Sequence, residues 1–349
     1  MGNSSTADHG PDHRDHRDRT TATAQRRSRF GRTASVSRRE FIAAVGGVGA
    51  ASLVSPSTDA AQTDTGTLRV SVSPGPIPPP VWFRYGISGL RRDWPVPFRE
   101  CFAAIEDAMA QLQTYAVSHS DRIDADFDIR VERGPSVRFP PLATPRPSEL
   151  VLPSLSTVLD VFRDRLRDRG ELGGPACHVL FCWSPLNYRV GYGGTMSPND
   201  LVGATGSNGT AAEGAQTVAN VGATEVWDSR AISRNIAIHE VFHTLLPPEL
   251  VEAVGGTDCD HDLGAAARVQ TSGDERALRV TPMATAYAGP DELGGGTRFH
   301  GTGCYDHDEF TRHDGYEGVD RFEYTTTLSE ATLAVATQYL ERIRERRRA

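Results

Sequence analysis

Along the first half of the chain the apolar positions follow two periods in turn. Leu68, Val70 and Val72 alternate with polar neighbours, which predicts a strand over residues 67–73 running into a proline-rich turn at 74–80. Phe98, Cys101, Phe102, Ile105, Met109 and Leu112 then recur at helical spacing. Residues 127–131 alternate as a second strand. Leu155, Val158, Leu159, Phe162 and Leu166 mark a second helix, stopped by Gly170. The apolar run 177–183 predicts a buried strand, and residues 221–227 a last one. Between them, residues 187–220 are weakly periodic and rich in Gly, Thr and Asn. They read either as a surface loop or as an edge strand and loop lining a cleft.

The next element carries chemistry. Ile238, Val241, Phe242 and Leu245 form an apolar stripe on a helix over residues 233–246, with Ser233 as its cap and Pro247-Pro248 as its end. His239 and His243 lie on one face of that helix, one turn apart. Two imidazoles at this spacing can share a tetrahedral metal. Glu240 lies about 100° round the helix, within reach of a water at that metal without ligating it. Beyond Pro248 the chain is loop-rich until a final helical pattern over 329–344.

Composition adds a compartment. The chain has 349 residues, a net charge of −8, 45 acidic residues and 37 basic ones, all of them arginine. An acidic, lysine-free chain resembles a protein of an extreme halophile; a GC-rich genome gives the same bias. The negative charge argues against a nucleic-acid partner. Residues 1–36 read as a disordered leader. Ser37-Arg38-Arg39-Glu40-Phe41-Ile42 and the weakly apolar run to Val54 resemble a twin-arginine export signal, with Thr58-Asp59-Ala60 as a cleavage site. Secretion follows as the expectation, with membrane contact only through an uncleaved signal. The expected layout is a leader and signal over residues 1–60 and one domain over 61–349. Asn208-Gly209-Thr210 matches a glycosylation sequon. Among the five cysteines, Cys177 and Cys182 should face opposite sides of a strand, and the loop residues Cys259 and Cys304 are the expected disulfide pair.

A catalytic zinc needs a third protein ligand. Three features together resemble the metzincin clan of zinc endopeptidases: His239-Glu240-x-x-His243, a later histidine in His261-Asp262-Leu263-Gly264, and a methionine in Thr281-Pro282-Met283-Ala284. The resemblance implies Zn2+ held by His239, His243 and His261, with Glu240 as general base and Met283 in a turn beneath the site. It implies a protein or peptide substrate. It also implies an α+β fold: a mixed twisted sheet with helices as an upper lobe (about 61–246), the zinc helix at the cleft, and a lower lobe (about 247–349) with the C-terminal helix. The chain departs from the clan in two ways. Leu246 stands where the clan has glycine, and His261 comes 18 residues after His243 (261 − 243), later than usual. The segment around Gly256 and Asp260 also resembles aspzincin-type peptidases, in which Asp260 would be the third ligand. A non-catalytic protein with a structural metal is the remaining alternative.

Overall fold

The structure, a computed structural model, describes residues 67–85, 93–139, 152–196, 213–255, 257–271, 275–284, 309–315 and 317–348. The leader, the twin-arginine segment, the sequon and Cys304 lie outside the described residues. The strand β1 (Thr67–Pro74), helix α1 (Pro79–Tyr85), helix α2 (Val96–His119), strand β2 (Asp128–Arg133), helix α3 (Leu155–Asp168) and strand β3 (Ala176–Phe181) come first; all but α1, which begins inside the expected proline-rich turn, follow the expected order. Then come β4 (Gly193–Thr195), β5 (Ala215–Ala219), α4 (Val221–Trp227) and α5 (Arg230–Phe242). The first sheet has the order β2-β1-β3-β5-β4, parallel except for β4, which runs antiparallel along β5 at the edge.

The two faces of this sheet bury different cores. Val70, Val72, Cys177 and Val179 pack with α2 and α5. Leu180, Cys182 and Val218 pack with Val158, Leu159, Phe162 and Leu166 of α3. Cys177 and Cys182 therefore do face opposite sides, as the alternation of a strand requires. Both are free thiols, and burial pushes each up to about 12.

Three expectations need correction. Residues 221–227 form α4, not a strand: the Asn220 side chain accepts from Ala223 N and starts a helix, and the last strand of the sheet is the earlier β5. The cap of α5 is Ser229, whose hydroxyl accepts from Ile232 N; Ser233 lies inside the helix and donates to Ser229 O. The helix ends at Phe242 with His243 as its C-cap, and Pro248 opens a further helix, α6 (Pro248–Gly255).

The region beyond α6 is also more regular than a loop-rich lobe. It contains β6 (Ala265–Gln270), β7 (Arg276–Val280), β8 (Arg312–His313) and β9 (Arg321–Tyr324), joined as a mixed sheet in the order β8-β6-β7-β9. These strands are short and rich in alanine and arginine, so their alternation carries little apolar contrast. The C-terminal helix α7 (Glu330–Arg348) buries Val335, Ala336, Leu340 and Ile343 in the same core as α2 and α5. With two mixed sheets and seven α-helices among the described residues, the fold is α+β.

One buried group gives a pH dependence. His178, central in β3, is 1% exposed, and neither ring nitrogen makes a hydrogen bond of normal geometry; a looser approach to the Glu171 backbone favours its charge only slightly. Burial, helped by the charge of Arg69, lowers it from 6.5 to about 4. The unfolded chain thus binds a proton that the folded chain refuses between those values. Its contribution to stability is complete above pH 6.5 and is lost as pH falls toward 4, on the order of 3 kcal/mol. His178→Leu should flatten the fall of melting temperature between pH 7 and 4.5; equal slopes in both proteins would contradict this.

Candidate metal centre

The ring nitrogens of three histidines meet at one point. His239 and His243 come from the last turn of α5, and their Nε2 atoms are 2.9 Å apart. His261 comes from a short 3-10 turn, Asp260–Leu263, and its Nε2 is 3.3 Å from that of His239. Tetrahedral zinc–imidazole geometry needs about 3.3 Å between neighbouring nitrogens. The three residues form a buried to half-buried group able to hold a metal ion.

The far side of each ring decides what the near side can do. Nδ1 of His239 is 2.8 Å from Pro282 O, which can only accept, so that nitrogen carries the proton. Nδ1 of His243 is 2.5 Å from Asp260 Oδ2, which fixes its proton in the same way. Both rings can therefore turn an Nε2 lone pair on a cation while every acceptor behind them stays served. Asp260 also faces His261, with Oδ1 3.7 Å from Nδ1. Its carboxylate thus stands on the outer side of the rings, away from the Nε2 focus.

The ionisable groups here act on one another. Burial disfavours charge on His243, but the charge and hydrogen bond of Asp260, with Glu240 behind, outweigh it and raise His243 to about 9. Burial and the His243 charge hold His261 down at about 4 and His239 well below its ordinary range. Burial opposes ionisation of Asp260, yet His243 brings it to about 2.

The loop that carries His261 is tied down at several points. Leu263 is fully buried, and its carbonyl accepts from Ser329 Oγ and from Thr332 Oγ1. Thr311 N donates to Asp262 O at 2.8 Å, and Thr257 Oγ1 to Asp262 Oδ2 at 2.5 Å. A Cβ on Gly264 would fall 2.3 Å from Ala284 N, so only glycine allows the two turns this close. The second turn is Pro282–Ala284; Met283 is fully buried in the main core, and Pro282 beside it bonds His239. Cys259 is disulfide-bonded, so it offers no thiolate to the group Cys259, Asp260 and His261. Its expected partner, Cys304, lies outside the described residues.

Glu240 is 4% exposed, and its Oε2 has no hydrogen-bond partner. Burial raises it to about 7, with His243 pulling down and Asp260 pushing up. It lies against Gly193 of β4. Bonds from Asn220 N to Tyr192 O and from Met196 N to Gln216 O alternate along β4. The N–H and C=O groups of Gly193 and Thr195 therefore turn to the edge of the sheet. Of the two readings of residues 187–220, an edge strand beside the site describes 193–195; residues 197–212 lie outside the described ones. Asp258, Asp260 and Asp262 were read in the sequence as possible supports of His261; that Asp260 bonds His243 instead was missed, as was Gly193. The Gly193-Gly194 pair in a weakly periodic stretch was the available signal for the second.

No protein-family model matches the chain, and no curated protein or solved structure is detectably similar to it.

Proposed function

We propose that the chain is a zinc-dependent endopeptidase of metzincin type, exported through its twin-arginine segment and adapted to concentrated salt. The observation that carries this reading is the focus of three Nε2 atoms with the unpartnered carboxylate of Glu240 beside it. An all-imidazole set of buried to half-buried rings suits zinc better than the hard, oxygen-seeking cations. His239, His243 and His261 would hold the ion. Zinc bound there supplies Lewis acidity, which acidifies water and polarises a carbonyl.

The rest of the chemistry belongs to the chain. Glu240, poised near neutrality by burial, takes a proton from the attacking water and hands it to the leaving amine. The outward main-chain groups of Gly193 and Thr195 pair with an extended peptide, which brings a scissile bond past Glu240. A metal kept only for structure would have no use for a buried, unpaired carboxylate at this place. The hydrogen bond from His243 to Asp260 favours His261 over Asp260 as third ligand, because it leaves Asp260 supporting a ligand from behind. No helix among the described residues is long and apolar enough to cross a membrane.

The test is hydrolysis of an unfolded generic protein by the purified chain at high salt. Cleavage should stop with a zinc chelator and return with added zinc. Cleavage that ignores the chelator, or none by the zinc-loaded chain, would refute the proposal.

A further inference from the structure

The first residue of β4 and the carboxylate of Glu240 compete for one space. A Cβ on Gly193 would stand 2.7 Å from both Cδ and Oε1 of Glu240. It would also stand 2.0 Å from Val218 O of the neighbouring strand. Real side-chain contacts do not reach such distances, so any larger residue must move the strand, the carboxylate, or both. Gly194 faces the other way, toward Leu155, as alternation requires. Gly193 pairs with Ala219 in register, so the strand is anchored where it meets Glu240.

We propose that Gly193 is a positioning residue for Glu240: its missing side chain leaves the space in which the carboxylate stands, at the end of the strand that would carry substrate. Glu240 Oε2 has no hydrogen-bond partner to hold it, so packing does. The backbone of β4 is the wall on that side. The catalytic consequence rests on the endopeptidase reading; the steric coupling of the two residues does not.

The two clashes of residue 193 separate in a double-mutant cycle read by thermal melting. Gly193→Ala is introduced into the parent chain and into Glu240→Ala. The clash with Val218 O is common to both backgrounds, whereas the clash with the carboxylate is absent from the second. The melting temperature should therefore fall further in the parent. A Gly193→Ala chain that folds only when Glu240→Ala is also present gives the same answer. Equal falls, or failure to fold in both backgrounds, would overturn the proposal.

The second readout is kinetic. In Gly193→Ala, kcat should fall about 10²-fold, as expected for a displaced catalytic group, with zinc affinity nearly unchanged. Loss of zinc affinity in step with kcat would contradict a role through Glu240. A parent chain that binds zinc but cleaves nothing, yet shows the non-additive melting cycle, would leave the coupling standing and remove the endopeptidase reading instead.

Discussion

Glu240→Gln should lower kcat by about 10²–10⁴-fold while zinc stays bound. Glutamine keeps the size and packing of the side chain but cannot take a proton. Glu240 has no hydrogen-bond partner on Oε2, so the substitution breaks no bond of the fold at that atom. The side chain is 4% exposed, and burial already works against its charge, so the neutral amide should not weaken the protein. The expected result is therefore a folded, zinc-loaded, inactive chain. Zinc content, melting temperature and turnover measured on the same sample check all three. Turnover equal to the parent would remove Glu240 from the chemistry.

The second large effect separates the two candidate third ligands. His261→Ala removes one of three converging nitrogens and should reduce zinc affinity steeply. Asp260→Ala removes the carboxylate behind His243 and His261, and should cost about 10–100-fold, the usual effect of losing a ligand's supporting partner. Competition against a chelator of known affinity gives both numbers. The reverse order, with Asp260→Ala the more damaging, would favour the aspzincin-like arrangement.

How much of this was legible in the sequence varied with how local the cause is. His239 and His243 are one helical turn apart, so their common face follows from the helix alone. β1, α2, α3 and β3 were also readable, because each buries a set of large apolar side chains, and β2 through the alternation of Ile129 and Val131; α1 buries only Val81 and left no such pattern. α4 was misread because Val221, Val226 and Trp227 resemble a strand in composition; the Asn220 cap decides the matter. The second sheet was invisible because Ala265, Ala266, Ala267 and Arg268 carry little apolar contrast. His261 was the first choice among the donors of residues 256–264, with a family resemblance added to it, but its approach depends on the path of the 257–264 loop, which no local pattern gives. The bond between His243 and Asp260 spans 17 positions and depends on the same path. Gly193 and Glu240 meet only because β4 folds back along β5; the Gly193-Gly194 pair marks an unusual stretch but not what it touches.

The most direct test of the central claim is a crystal structure of the zinc-loaded chain, with the metal located from its anomalous scattering. The account predicts one buried zinc bound by Nε2 of His239, His243 and His261, with Glu240 beside it and Asp260 hydrogen-bonded to His243 behind. A carboxylate oxygen of Asp260 on the metal with His261 turned away would contradict the ligand set. Zinc bound anywhere else, with the three histidines left to one another, would contradict the account as a whole.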